Sequence, residues 1–142
     1  MKILKTNEDT INYGIKLANK LKAGDILCLH GDLGAGKTTL VKGIATGFKI
    51  KEKITSPTFS LMNIYKIKNK QIKNLIHIDT YRLESEEDLI DIGVEDYLGS
   101  SDTITIIEWP EKIKKLLENK KTIDITIEHT EDGERIIKCG KN

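Results

Sequence analysis

Arginine is nearly missing from this 142-residue chain: of its 23 basic residues only Arg82 and Arg135 are arginine, and the rest are lysine. Guanidinium grips phosphate and carboxylate through a planar, two-pronged donor set that a lysine ammonium replaces only as a point charge. A site built from a cluster of arginines is therefore excluded. Proline is limited to Pro57 and Pro110, which leaves no proline-rich linker. Cysteine is limited to Cys28 and Cys139, in no metal or redox spacing. Two isolated thiols make no disulfide framework, so a reducing, cytoplasmic location is the expectation. No apolar run approaches the ~20 residues that a membrane-spanning helix needs. The N-terminus, Met1-Lys2-Ile3-Leu4-Lys5-Thr6, has neither a long apolar region nor a cleavage-site pattern. Charge of one sign is missing too: 23 basic against 22 acidic residues leave +1, which excludes a uniformly basic nucleic-acid binder.

What remains is 32% charged and 38% hydrophobic, the mix of a soluble folded protein. The length suits one domain, residues 1–142, burying roughly 70% of the surface that the unfolded chain exposes. Residues 2–5 read as a short strand. Thr6 with Asp9 three residues on resembles a capping box, and Ile11, Ile15 and Ala18 share a helical face flanked by Gly14, Leu17 and Leu21, with Gly24 placed to end the helix. An almost wholly apolar strand over 25–30 suits a sheet covered on both faces. A glycine-rich loop, 31–36, leads into a helix over 37–46. Ser56-Pro57 breaks the chain; strands follow over 59–67 and 72–79, joined by a turn at 68–70. An acidic helix over 84–91, a strand over 103–108 and helical spacing over 111–118 come next. A hairpin over 122–129 and 134–139, turning at Asp132-Gly133, closes the chain. The fold expected is α/β: a three-layer P-loop NTPase fold, its mixed sheet having a parallel centre and antiparallel hairpins.

The chemistry lies in Gly31-Asp32-Leu33-Gly34-Ala35-Gly36-Lys37-Thr38, a full match to the phosphate-loop pattern, with an apolar strand before it and a helix after. Glycines let successive N–H groups turn inward around a phosphate, and the helix start adds its positive dipole end. In this pattern Lys37 reaches the β- and γ-phosphates and Thr38 ligates Mg²⁺. A chance glycine-rich turn is the alternative. Two apolar strands end in an acid, Asp79 and Glu108. Ligands of α/β sheets bind outside the carboxyl ends of strands, so one acid is expected on Mg²⁺ and the other on the attacking water. The competing reading is that each is a solvated strand-end acid or a helix cap. Thr58, in Ser56-Pro57-Thr58-Phe59, is a switch-like hydroxyl or part of an ordinary proline turn. Arg82 beside Asp79 is a group for recognising phosphate or carboxylate, or an ion-pair partner of the acids after it. His77 is a packed strand residue or part of the site. Trp109, after Glu108, shields the site, stacks on a base, or packs in the core. Asn69-Lys70-Gln71-Ile72 fails as a guanine-reading motif, which leaves adenine nucleotide preferred.

Gly31 to Leu40, then Ser56-Pro57-Thr58-Phe59, then His77-Ile78-Asp79-Thr80-Tyr81-Arg82, then Ile107-Glu108-Trp109-Pro110 together resemble the bacterial TsaE (YjeE) family, in its order and spacing. The resemblance implies a small ATPase, with ATP and Mg²⁺ as cofactors, required for threonylcarbamoyl modification of adenosine 37 in tRNA. It implies action on a TsaB–TsaD heterodimer, with tRNA engaged indirectly and no membrane. Carried over by position, it makes Lys37, Asp79 and Glu108 catalytic, and Thr38, Asp79 and Glu108 metal residues. It places nucleotide contacts at Gly31, Asp32, Leu33, Gly34, Ala35, Gly36, Lys37, Thr38, Thr39, Thr58 and Trp109, with Thr6 and Thr10 near the adenine. No arginine finger is evident within the chain, so hydrolysis is expected to be slow until the partner docks. A small-molecule kinase, disfavoured by the arginine count, and a nucleotide-gated binding module are the other readings.

Overall fold

The computed structural model describes residues 1–141. Its frame is a seven-stranded mixed sheet: β1 (Lys2–Leu4), β2 (Ile26–His30), β3 (Met62–Lys66), β4 (Asn74–Asp79), β5 (Thr103–Glu108), β6 (Ile123–His129) and β7 (Arg135–Lys141). Their spatial order is β1-β7-β6-β2-β5-β4-β3. The four central strands, β6, β2, β5 and β4, are parallel, and β3, β7 and β1 add antiparallel edges. This is the α/β architecture expected from the sequence.

Alternation along each central strand divides the core in two. Leu27 and Leu29 face α1 (Asn7–Ala18) and α2 (Lys37–Gly47), in a cluster with Leu40, Ile44 and Ile106. Ile26 and Cys28 face the other way, onto Leu89, Val94 and Ile113. That second face is covered by α3 (Glu86–Asp91), the 3₁₀ turns Val94–Asp96 and Pro110–Ile113, and α4 (Lys114–Leu117). Strands buried on both sides have no polar face to show, which is why β2 reads as an almost continuous apolar run, while β5 buries Thr103 and Thr105 among its isoleucines.

The capping box at α1 forms as expected. Thr6 accepts from Asp9 N–H at 3.0 Å, and Asp9 accepts from Thr6 N–H at 3.1 Å. The buried stripe of this helix differs from the expected one: it is Thr10, Gly14 and Ala18, with Ile11 and Ile15 only half-buried. The reason is contact between glycines. A Cβ on Gly43 of α2 would lie 2.4 Å from the Ile11 carbonyl oxygen, and one on Gly14 2.8 Å from the Gly43 Cα. With no side chains between them the backbones touch, and the larger apolar residues pack to either side. Gly24 does not end this helix. Ala18 does, with Asn19 as cap, and Gly24 (φ +93°) sits instead in the turn that starts β2, bonded to the Thr103 carbonyl.

Two further elements are shorter than expected. The strand over 59–67 begins only at Met62, because residues 58–60 form a turn that leaves Phe59 87% exposed. The segment over 111–118 splits into a 3₁₀ turn and one turn of α-helix, since Pro110 starts it directly off β5. The β3–β4 turn is held by Asn69, whose side chain accepts from the N–H groups of Gln71 and Ile72.

Candidate nucleotide site

The glycine loop joins β2 to α2 at the carboxyl end of the parallel strands. Gly36 has φ +103°, and a Cβ there would lie 2.7 Å from Arg135 Nε. Gly31 lies so close to β6 that a Cβ would meet the Ile127 carbonyl oxygen at 2.4 Å. Only glycine satisfies either position.

Beside the loop is a cavity of about 510 Å³. Leu33, Gly34, Gly36, Lys37, Thr38 and Thr39 line one side, and Ser56, Thr58, Asp79, Glu108 and Trp109 the other. Gly31, Asp32 and Ala35, the other expected loop contacts, line a separate groove behind the loop, against β6.

Lys37 is 6% exposed. Its Nζ donates to the carbonyls of Gly31 (2.6 Å) and Asp32 (2.8 Å) and lies 4.5 Å from the Trp109 ring centre. Burial pulls its pKa below the ordinary 10.5, and the nearby carboxylates of Glu108, Asp79 and Asp32 oppose that shift.

The two strand-end acids are register partners on β4 and β5, yet their surroundings differ. Glu108 accepts from the Thr38 hydroxyl at 3.3 Å and pairs with His77 Nε2 at 3.3 Å. Asp79 accepts from the Ser56 hydroxyl at 2.8 Å and from Tyr81 N–H at 2.9 Å. Glu108 thus faces the loop and Asp79 the Ser56-Pro57-Thr58 segment. Thr58 donates to Ser56 at 3.4 Å, and so joins Asp79 through that serine. His77 is wholly buried, with Nδ1 unpartnered, and lies behind Glu108.

Trp109 occupies the left-handed region (φ +61°), a conformation costing roughly 1–3 kcal/mol for a bulky residue. Thr80 holds its segment there: its single hydroxyl proton is shared between the Glu108 and Trp109 carbonyls at 3.1 and 2.5 Å, and its N–H donates to the Glu108 carbonyl at 3.2 Å. The Trp109 ring packs at 5.0 Å on that of Tyr81, which lines the same cavity. The strain is thus spent keeping an indole beside Lys37.

Sequence reasoning singled out Arg82, and it lines the cavity, its guanidinium 5.2 Å from the Phe59 ring. It missed Arg135, Asn7 and Ser56, which line it too. Arg135 donates to Asn7 at 2.6 Å and to Thr10 at 3.4 Å, while its Nε–H is buried without a partner. Of the two threonines expected near the adenine, Thr6 is spent on the helix cap and Thr10 is buried beneath Arg135. Asn7, between them, reaches the cavity. The scarcity of arginine was the available signal for Arg135, and it applied to both arginines.

Among the described residues no three His, Cys, Asp or Glu side chains gather as a metal cage. The oxygen donors offered at the loop are the Thr38 hydroxyl and the Glu108 carboxylate. These are hard ligands of the kind Mg²⁺ takes when phosphate oxygens and water complete its shell.

The family model for "Threonylcarbamoyl adenosine biosynthesis protein TsaE" matches residues 4–137. A protein of Treponema pallidum named tRNA threonylcarbamoyladenosine biosynthesis protein TsaE is 37% identical over 135 residues, covering 95% of this chain and 96% of that protein. One of the same name from Rickettsia typhi is 37% identical over 142 residues, covering 99% and 94%. The crystal structure of Bacillus subtilis YdiB superposes with a TM-score of 0.78 at 30% identity, covering 99% of this chain and 82% of that one.

Proposed function

The chain belongs to the TsaE family, and from that premise we propose that it binds ATP with Mg²⁺ at the glycine loop and hydrolyses it as an accessory subunit of tRNA threonylcarbamoyl modification. The observation that carries this reading is the convergence of Lys37, Thr38, Glu108 and Asp79 on one cavity at the carboxyl end of the parallel strands.

The cavity has two ends. The base lies toward Asn7 and Arg135, which line that end of the cavity. The γ-phosphate lies toward Lys37, Thr38 and the acids. Lys37 exchanges its bonds to the loop carbonyls for phosphate oxygens. Thr38 and Glu108 would hold Mg²⁺, which neutralises charge on the phosphates when bound. Asp79 positions water or orders the Ser56–Thr58 segment, and Trp109 keeps bulk water from Lys37.

Catalysis of this kind is electrostatic, and charge developing between the phosphates calls for a further cation. Arg135 is turned to α1 and Arg82 to Phe59. Hydrolysis by the chain alone is therefore slow, and docking on a TsaB–TsaD heterodimer accelerates it, with tRNA engaged through those partners. The test is mass analysis of tRNA nucleosides in cells depleted of the protein. Threonylcarbamoyladenosine should fall, and wild type but not Lys37→Ala should restore it. Normal levels after depletion would refute the role.

A further inference from the structure

We propose that His129 is a positioning residue for nucleotide binding, its Nε2–H holding the Gly34 carbonyl on the outer side of the glycine loop. The inference deepens the nucleotide reading above and rests on it.

His129 ends β6, and its Nε2 lies 2.6 Å from the Gly34 carbonyl oxygen. A carbonyl only accepts, so the proton sits on Nε2 and the imidazole donates. Beside this contact, the tip of the loop is held by one backbone bond, from the Ala35 N–H to the Asp32 carbonyl at 3.0 Å. Nothing lies within 4 Å of where a Gly34 side chain would begin, and Leu33 is 70% exposed. Gly34 has φ +79° and lacks the Cβ that would restrict rotation of its peptide.

A phosphate cradle works only while its N–H groups point inward and its carbonyls outward. The Gly34 carbonyl and the Ala35 N–H belong to one rigid peptide plane. The Ala35 N–H donates to the Asp32 carbonyl, so the two bonds pin both edges of that plane and with it the flanking Gly34 and Gly36, which line the cavity. His129 is the register partner of Arg135 across the β6–β7 hairpin. The same rung that holds Gly34 through His129 meets Gly36 through Arg135. Two turns of the loop are thus set by one pair of residues more than ninety positions downstream.

The test compares full-length wild type, His129→Ala and His129→Gln for MgATP affinity by calorimetry and for phosphate release over a range of ATP concentrations. His129 is exposed, so melting temperatures should match. Losing one hydrogen bond that orders the loop should raise the ATP Kd and KM of His129→Ala about five- to tenfold, with the loss carried by KM rather than kcat. Glutamine can place an N–H near the imidazole Nε2 position, so His129→Gln should recover most of the affinity. Wild-type affinity in His129→Ala, or a glutamine variant no better than alanine, would overturn this role alone. A wild-type chain that binds no ATP would overturn the role together with the nucleotide reading beneath it.

Discussion

Lys37 stands at the centre of the site because three pressures meet on its ammonium. Burial disfavours its charge, two loop carbonyls take its protons' hydrogen bonds, and the carboxylates of Glu108 and Asp79 favour the charged form. On the proposed reading Lys37 is the cation that meets the γ-phosphate, so Lys37→Ala should lose ATP binding, and retained binding by calorimetry would refute the assignment. The same burial predicts a pH effect. Phosphate needs the charged lysine, and its pKa in the free protein lies below 10.5. ATP affinity should therefore begin to fall at a lower pH than an ordinary lysine would impose, and Kd measured toward alkaline pH checks it. Arg135 gives a separate expectation. Its guanidinium holds Asn7 and Thr10 at the edge of the cavity, and Arg135→Lys keeps charge but loses the planar fork. Loss of one such bond should weaken ATP binding about tenfold while leaving phosphate release at saturation nearly intact.

Element by element, the site depends on how closely backbones approach. The α1–α2 contact runs through Gly14, Gly43 and Gly47, and a methyl at Gly43 would sit 2.4 Å from a backbone oxygen. Backbone cannot step aside as a flexible side chain can, so Gly43→Ala should cost about 1–3 kcal/mol, read as a lower urea midpoint. Losing the capping box by Thr6→Ala should cost about 1 kcal/mol in the same assay. The capping box was legible in the sequence because its two partners lie three residues apart. So were the glycine loop, a contiguous string, and the acids at the ends of β4 and β5, which close apolar runs. The stripe on α1 was not. Hydrophobic spacing points to the bulkiest residues, but here the absence of side chains sets the interface and moves Ile11 and Ile15 to its margin. The turn over 58–60 was equally hidden, because Phe59 has strand propensity and the bend rests on the Leu61 N–H bond to the Pro57 carbonyl and on the bond of Ser56 to distant Asp79.

Taken whole, the molecule brings distant segments onto one loop. β6 and β7 return from the far end of the chain to lie beside the glycine loop and α1, which is what delivers Arg135 and His129 to a site whose motifs lie between residues 31 and 109. No local pattern announces such a contact, since it arises from strand order. The two arginines, conspicuous by rarity, both end at the cavity, yet the bonds observed turn neither toward Lys37. That arrangement predicts a weak ATPase whose turnover rises when a TsaB–TsaD heterodimer is added; an unchanged rate would count against docking as the source of the missing cation. The most direct test of the central claim follows the γ-phosphate itself. Purified chain is incubated with Mg²⁺ and γ-labelled ATP, with and without a panel of small-molecule acceptors, beside Lys37→Ala. Label should appear as orthophosphate, only with Mg²⁺ and only in wild type; label on an acceptor, or no release from ATP at all, would contradict the account.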